Sequence, residues 1–523
     1  MNKNIYDYIV IGSGPAGAVI AKTLSDDRRN SVLLLEAGEN NDRDEAIRNS
    51  NLATSLLFEY FPEYFWQGKG VPQKNVNNRA FLWSGGRILG GGSSVNIEQY
   101  VRPTPDVLKK LETLNGSQWS PEAATKRFKE LEKYNGITDN PGAHGYNGRL
   151  SIRQTPRVPT LMSEKIVSAI KEATGLKEIL DYNNPNTPMG PFTRWQLTQK
   201  ANGNRDSASM AFLSSDIVNN KGHGRNGRKL LVLTKSTALR IIFSNKENTG
   251  IEFLKERECY SVYARKKVIL SAGFNSPKLL MLSGIGPSAI LKKAGIPVIL
   301  DNPSVGKQLS NHIFNTAVFS YNKDDMSLPP NDPNTIYVSG AFLPDPMPNS
   351  NPCRREIQVI PSVFGDSLFM AFALLQPRSR GTIKVQSRDP LKMVLANDRF
   401  LHNPSDLELM KNTFKIYLKN IANSLKSIDS KYQLITPRPD DLNNDKYLEN
   451  YIKENIFETY HQQGTIRMAP LKDGGVVNSK GEVYGVKDLI VADNSIMPMP
   501  SDGNTCATAY LIGLTIAQQL LNE

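Results

Sequence analysis

The chain opens with YDYIVIGSGPAG, residues Tyr6–Gly17, in which a glycine-rich turn directly follows an apolar stretch. Three glycines at this spacing are typical of a nucleotide-binding βαβ unit. We expect Gly12 to allow the sharp turn, Gly14 to leave room for a pyrophosphate, and Gly17 to let the following helix pack closely on the sheet. The predicted phosphate-binding turn, at the positive end of that helix, consists of Gly12, Gly14, Pro15, Ala16 and Gly17.

A second strand and an acid complete the predicted unit. Ala18–Leu24 has the character of its helix and Ser31–Leu35 that of its second strand, which ends at Glu36. An acid about 20 residues beyond the glycine turn binds an adenosine ribose in such units, and Ala37 lies beside it. We therefore predict an α/β dinucleotide-binding lobe rather than a glycine turn in some other α/β protein. This stretch does not distinguish NAD(P) from FAD.

Length and composition restrict the class of protein. With 523 residues, of which 39% are hydrophobic, the chain can bury a large core and is expected to form two or more lobes. The net charge of +12 comes from lysines and arginines scattered among acids, so no nucleic-acid partner is predicted. Three cysteines far apart, Cys259, Cys353 and Cys506, do not form a disulfide framework, which favours a reducing compartment.

The sequence gives no indication of targeting or membrane insertion. The first strand begins at about residue 5, which leaves no space for a signal peptide. The apolar run Ala507–Ala517 is interrupted by polar residues and is much shorter than the roughly 20 residues that cross a bilayer. We expect a cytoplasmic protein with no membrane span.

Two further glycine-containing stretches resemble a known family. Trp83–Asn96 reads WSGGRILGGGSSVN and exposes many backbone N–H groups, which suits an anionic or polar ligand. It resembles the first signature of the glucose-methanol-choline (GMC) oxidoreductases. Gly273–Gly286 reads GFNSPKLLMLSGIG and resembles their second signature, although Phe274 replaces a residue that is usually small. The resemblance covers nearly the whole chain and implies that the dinucleotide is FAD.

The resemblance also implies the architecture, an α/β fold with a Rossmann-like FAD-binding lobe and a substrate lobe built from an antiparallel sheet and helices. The segments expected in the FAD-binding lobe are 1–155, 226–312 and 456–523, the last of which also carries the catalytic residues. The segments expected in the substrate lobe are 156–225 and 313–455.

Sequence patterns predict elements of the substrate lobe. Its strands are predicted at Ile357–Val363, Leu368–Leu375 and Thr382–Gln386. Ser405 is expected to cap a helix. The Pro- and Asn-rich segment 324–351 is predicted to be a long loop that covers the site.

The family resemblance assigns most of the cofactor contacts. Ala238 is expected near the adenine, and Asp493 near the phosphate and ribityl groups. Some members bond the flavin covalently through a histidine just before Asn96, but Val95 stands there and has no nucleophilic atom, so we predict noncovalent FAD. No metal site is predicted. The implied contacts, besides the turn, Glu36 and Ala37, are Arg87, Gly91, Ser94, Asn96, Ala238, Asp493, Asn494 and Thr505.

Alcohol oxidation needs a base beside the flavin, and histidine suits this role. Of five histidines, His144 and His223 are expected in surface loops, His402 at a turn and His312 in a structural role. His461 lies in a stretch that resembles the family segment with the active-site histidine, so we assign it as general base. Asn504 matches the position of a second His or Asn that bonds the substrate oxygen, and the helix that begins there is expected to point at the flavin. The alternative for this helix is a routine capped C-terminal helix.

The predicted reaction is oxidation of a primary alcohol, with aryl or furanic alcohols as the favoured small-molecule substrates. Tyr460, Trp66 and Trp195 are predicted to line the substrate pocket, and choline is disfavoured because no carboxylate is evident near His461. Oxygen is the favoured acceptor and another electron acceptor the second choice. A flavin-containing hydroxynitrile lyase and a non-catalytic structural flavoprotein remain alternatives, and the oligomeric state stays open.

Overall fold

In the computed structural model, which describes residues 5–53, 61–326 and 337–523, two seven-stranded sheets organise the chain. The predicted βαβ unit lies at the centre of the first sheet, where Ile5–Ile11 pairs in parallel with Ser31–Leu35 and with Glu258–Leu270. The strands follow one another in space as Ser236–Ser244, Glu247–Lys255, Glu258–Leu270, Ile5–Ile11, Ser31–Leu35 and Lys229–Leu233, and Leu489–Val491 pairs with the end of Glu258–Leu270.

The helix after the glycine turn spans Pro15–Asp26 and packs in the same hydrophobic core as the C-terminal helix Cys506–Leu521. Gly17 is required there, because a Cβ atom would lie 1.9 Å from the carbonyl oxygen of Gly12. Gly12 itself has a φ of 93°, which disfavours any other residue. The local packing expected of both glycines is confirmed.

The second sheet is largely antiparallel. In spatial order it contains Leu434–Thr436, Ile313–Phe319, Ser367–Leu374, Ile357–Phe364, Gly340–Leu343 and Gly190–Phe192, and Phe457–Glu458 pairs with Ile313–Phe319. One face joins a hydrophobic cluster with the helices Leu161–Thr174 and Lys419–Ile428. The opposite face borders a large cavity.

Smaller elements surround the two sheets. The remaining helices described are Glu45–Arg48, Pro105–Asn115, Pro121–Leu131, Ala208–Phe212, Ser276–Leu282, Ser288–Lys293, Pro404–Asn412 and Asp445–Asn455, with the π-helical segment Thr413–Leu418. The small sheets are Phe65–Lys69 with Leu82–Gly86, Ile285–Gly286 with Leu300–Asp301, and Glu132–Asn135 with Leu150–Thr155 and Trp195–Leu197. The described parts of the chain contain no helix with the length and apolar character needed to cross a bilayer.

Three local predictions were wrong. The strand predicted at Thr382–Gln386 is Gly381–Lys384, and it joins a separate sheet with Lys307–Leu309 and Leu395–Asn397 instead of the substrate sheet. Asn403, not Ser405, caps the helix Pro404–Asn412, because its side chain accepts a hydrogen bond from the backbone N–H of Ser405. The segment 324–351 is not one loop, since it contributes the strand Gly340–Leu343, while its part 327–336 lies outside the described residues.

Candidate active site

A cavity of about 1040 Å³ is lined by the glycine turn of the first sheet and by one face of the second. Pockets for one drug-sized ligand have volumes of roughly 300–1,000 Å³. This cavity is therefore large enough to hold a dinucleotide together with a small substrate.

Most of the predicted cofactor residues line this cavity. They come from residues 12–37, 91–96, 238 and 493–505. The strands before Gly12, Glu36 and Asp493 lie in the first sheet, as does the strand that contains Ala238, whereas Gly91 and Asn96 follow a strand of a separate small sheet. The predicted residues in the lining are Gly12, Gly14, Pro15, Ala16, Glu36, Ala37, Gly91, Asn96, Ala238, Asp493, Asn494 and Thr505.

Three predicted cofactor residues are not among the lining residues. Gly17 serves helix packing, as described above. The Ser94 hydroxyl donates a hydrogen bond to the carbonyl oxygen of Leu89 at 2.7 Å, so it shapes the glycine-rich loop. Arg87 is exposed, and its guanidinium lies 5.1 Å from the ring centroid of Trp66.

The glycine turn leaves room for a phosphate. A Cβ atom at Gly14 would meet no other atom within 4 Å, whereas one at Gly91, on the facing loop, would lie 2.8 Å from the Cα atom of Gly14. The helix Pro15–Asp26 has no side-chain cap at its N-terminus, so its first backbone N–H groups are left for a ligand. The residues present thus fit the pyrophosphate of FAD.

Two buried acids hold together the segments that line this part of the cavity. Glu36 accepts hydrogen bonds from the Ser13 hydroxyl at 2.7 Å and from the backbone N–H of Gly38 at 2.9 Å, and burial raises the pKa of its carboxyl group. Asp493 accepts hydrogen bonds from the Ser276 hydroxyl at 2.6 Å and the backbone N–H of Gly273 at 2.9 Å. Asp493 therefore ties the second signature to the C-terminal block.

Next to Asp493, a buried hydrogen-bond acceptor without a partner indicates that a ligand binds there. The Oδ1 atom of Asn494 is buried and has no hydrogen-bond partner among the described residues, while its Nδ2 atom donates to the carbonyl oxygen of Thr505 at 3.0 Å. A buried acceptor without a partner is costly unless a bound molecule satisfies it. Asn494 is thus suited to bind the cofactor.

Two histidines in the lining of the same cavity form a pair. The Nδ1 atoms of His312 and His461 lie 3.0 Å apart, and the two rings are nearly perpendicular at 86°. The Nε2 atom of His312 lies 2.9 Å from the carbonyl oxygen of Ser501. His312 and His461 both line the cavity, whereas Ser501 is buried behind them.

These contacts determine where the protons lie on both rings. A backbone carbonyl only accepts, so His312 carries its hydrogen on Nε2 and leaves Nδ1 as an acceptor. His461 must then donate from Nδ1, and its Nε2 atom is left with a lone pair. Burial lowers the pKa of His312 to about 4, and burial together with the neighbouring His312 lowers the pKa of His461 well below its usual value. Both rings are therefore neutral at pH 7.

Asn504 lies beside this lone pair. Its Nδ2 atom is 3.5 Å from Nε2 of His461 and donates to Oε1 of Gln99 at 2.8 Å. Its Oδ1 atom accepts from Nε2 of Gln358 at 3.0 Å, which fixes the orientation of the amide. The N–H groups of Asn504 consequently face the space next to His461.

Asn311 positions the backbone at His461. Its Oδ1 atom accepts from the backbone N–H of His461 at 2.9 Å, and its Nδ2 atom donates to Oε2 of Glu458 at 3.0 Å. Glu458 lines the cavity, so the argument that no carboxylate lies near His461 was wrong. Glu458 lies three residues before His461 in the sequence, but only its pairing with Ile313 in the second sheet shows its place in the fold.

Three side-chain expectations were wrong. His312 was assigned a structural role, yet it lines the cavity and contacts His461. His144 is buried instead of lying at the surface, with its ring nitrogens bonded to Glu132 at 3.0 Å and to Asp181 at 2.8 Å. Trp195 is buried in a separate cluster and donates to the carbonyl oxygen of Ser339 at 2.6 Å, so it is absent from the lining.

The other two aromatic residues that were predicted to line the substrate pocket do contribute to the cavity. Tyr460 and Trp66 both belong to its lining. The other two histidines, His223 and His402, are exposed.

Fold and site together define a flavin-dependent oxidoreductase that acts on alcohols. The family model described as GMC oxidoreductase matches residues 6–314 with its N-terminal part and residues 377–513 with its C-terminal part. The chain therefore belongs to the GMC oxidoreductase family of FAD-binding enzymes that act on CH–OH groups.

Known proteins resemble the chain along its whole length. An alcohol dehydrogenase (acceptor) of Pseudomonas putida is 29% identical, with 99% of this chain and 96% of that protein covered. A 5-(hydroxymethyl)furfural oxidase of Methylovorus sp. (strain MP688) is 28% identical, with 100% of both covered. The crystal structure of pyridoxine 4-oxidase from Mesorbium loti has a TM-score of 0.86 at 23% identity, with 99% of each chain covered, which shows the shared fold.

Proposed function

We propose that this protein oxidises a primary alcohol to the aldehyde, with His461 as general base and FAD held noncovalently. The single observation that carries this proposal is that His461 lines the cavity with its Nε2 atom 3.5 Å from the amide nitrogen of Asn504. When bound, FAD supplies the ring that accepts the hydride. The substrate lobe and the FAD-binding lobe keep the boundaries predicted from the sequence as part of the proposal.

The residues of the chain divide the proton chemistry between them. Nε2 of His461 accepts the hydroxyl proton, while its Nδ1–H continues to donate to His312. Burial lowers the pKa of His312 to about 4, so this neighbour is neutral at neutral pH and its Nδ1 atom can accept that hydrogen bond. Asn504 uses one N–H for Gln99 and has a second N–H available for the substrate oxygen, which it stabilises as the proton departs.

The side chains near the cofactor cleft support noncovalent binding. Val95 is buried, lines the cavity and offers only methyl groups. Cys506 also lines the cavity, but burial raises the pKa of its thiol to about 12, so it is not a nucleophilic thiolate at neutral pH.

The cavity lining and the names of two relatives support the choice of substrate and of electron acceptor. The aromatic rings of Tyr460 and Trp66 in the lining suit an aryl or furanic alcohol, and one relative is named a 5-(hydroxymethyl)furfural oxidase. That name also favours oxygen as acceptor, while the name of the Pseudomonas putida relative favours another acceptor as the second candidate.

An anaerobic reduction experiment tests the proposal. The yellow holoprotein is mixed with a panel of primary alcohols, the loss of flavin absorbance is followed, and air is then admitted. Reduction followed by rapid reoxidation supports an oxidase, and slow reoxidation supports a dehydrogenase. If no alcohol reduces the flavin, the proposed function is wrong, and a hydroxynitrile lyase or a structural flavoprotein takes its place.

Replacement of the proposed base provides the second test. His461→Ala should slow flavin reduction by about 10² or more, because a positioned base contributes that much. The exposed His402→Ala is the matched control and should reduce at the normal rate. A normal rate in His461→Ala would remove this residue from the mechanism.

A further inference from the structure

The cavity continues far beyond the histidine pair, along the second sheet. The strand Ile313–Phe319 alternates between buried residues, which pack in the core, and half-buried ones, which face the cavity. The next two strands of the sheet in spatial order, Ser367–Leu374 and Ile357–Phe364, contribute alternate side chains to the same lining. The side chains that these three strands contribute to the lining are Phe314, Thr316, Val318, Gln358, Ile360, Ser362, Phe364, Phe369, Ala371 and Ala373, and other strands of the same sheet add Thr436, Phe457 and Glu458.

The strand register orders these side chains into rows across the sheet. Phe314, Ala373 and Gln358 form the first row, and Gln358 bonds Asn504, so this row lies at the reacting end. The last lining residue of the strand is Phe364, which is 41% exposed, so this end of the lining meets solvent. The six steps from Gln358 to Phe364 span about 20 Å at roughly 3.3 Å per residue.

The face formed by these three strands is uncharged, and the acid that the sheet adds to the lining, Glu458, lies at the reacting end, where it pairs with Ile313. All three strands lie in the described part of the chain, and none of them contains an acidic or basic residue. Small side chains occupy the middle of the face, where Thr316 pairs with Ala371 and Ala371 with Ile360. At the outer end, Phe364 and Phe369 pack edge to face with ring centroids 5.7 Å apart.

From these observations, and resting on the proposed function, we infer that the substrate is a primary alcohol with a long, uncharged apolar tail. The hydroxymethyl group lies at His461 and the tail runs along the sheet face towards Phe364. A small furanic alcohol alone fills only the first row. Burial of the tail against the apolar side chains supplies binding energy that a short alcohol lacks.

A homologous series tests this inference. The holoprotein is assayed with 4-alkylbenzyl alcohols whose tails grow from methyl to octyl, so the reacting carbon stays the same. We expect kcat/KM to rise by up to about fourfold for each methylene that is fully buried. A tail of equal length that ends in trimethylammonium or carboxylate should lose this gain.

Two variants locate the tail. Ala371→Phe narrows the middle of the face and should abolish the rise of kcat/KM with tail length. Ile435→Phe adds the same ring at a residue of the same sheet that is 54% exposed and outside the lining, and should keep the rise. Because the measured quantity is the slope within each variant, a general loss of activity does not imitate the result.

The outcomes separate the two proposals. If alcohols reduce the flavin but kcat/KM does not depend on tail length, the inference is overturned and the proposed function stands. The same holds if charged tails react as well as apolar ones or if Ala371→Phe keeps the slope. If no member of the series reduces the flavin but another primary alcohol does, only the inference is overturned, and if no primary alcohol reduces the flavin, both are overturned.

Discussion

The hydrogen bond between His312 and His461 allows a quantitative prediction. His312→Leu removes the acceptor for Nδ1–H of His461, so the catalytic ring no longer has a fixed tautomer. A buried donor left without a partner costs about 1–3 kcal/mol, which corresponds to a loss of about 5- to 150-fold in the rate of flavin reduction. His312→Asn places an amide oxygen near the position of Nδ1 and should recover part of the rate.

Stopped-flow reduction by a saturating alcohol, with FAD content checked by absorbance, measures this effect. The unmodified enzyme should lose activity only in acid, because the low pKa of His461 keeps it a neutral base down to pH values well below 6.5. A normal reduction rate in His312→Leu would refute the tautomer argument. So would a His312→Asn variant as slow as His312→Leu, since a purely steric role does not depend on a retained acceptor.

Three further predictions concern other parts of the chain. Asn504→Leu should retain FAD and lower alcohol turnover, and unchanged kinetics would favour a routine C-terminal helix. Acid precipitation should release all the yellow colour because Val95 offers no point of attachment, and a coloured pellet would contradict noncovalent binding. Burial lowers the pKa of His144, but its hydrogen bonds to Asp181 and Glu132 have the larger effect, so the pKa is raised overall. His144 therefore stabilises the fold at low pH, and this contribution is lost as the pH rises through the raised pKa. The deficit in Tm of His144→Gln should shrink as the pH rises above the ordinary histidine pKa of about 6.5, and a deficit that grows would exclude this ionic role.

Local sequence patterns predicted the parts of the fold that depend on local geometry. The helix predicted at Ala18–Leu24 lies within Pro15–Asp26, and the strand predicted at Ser31–Leu35 has those bounds. The strand predicted at Thr382–Gln386 illustrates the limit of this approach. Its alternating pattern indicates a strand, but partner choice depends on segments more than sixty residues away, such as Lys307–Leu309.

Most of the candidate cofactor residues next to signature motifs line the cavity, whereas the buried polar networks were not predicted. His144 follows a turn-rich stretch, which predicts the surface, yet Glu132 and Asp181 enclose it from two distant elements. His312 gave no local sign of contact with His461, which lies 149 residues further along the chain. Such pairs form only when tertiary packing brings the segments together.

The sequence by itself determined the glycine turn, the family signatures and the choice of His461 as the candidate base, because each depends on a short stretch whose glycines or side chains have a local role. Only the tertiary structure decided which histidine nitrogen is free, that Glu458 lies near the base, and that an uncharged face runs outward from the reacting end. Each of these depends on the register of strands distant in sequence, and register is fixed by which faces the folded chain buries.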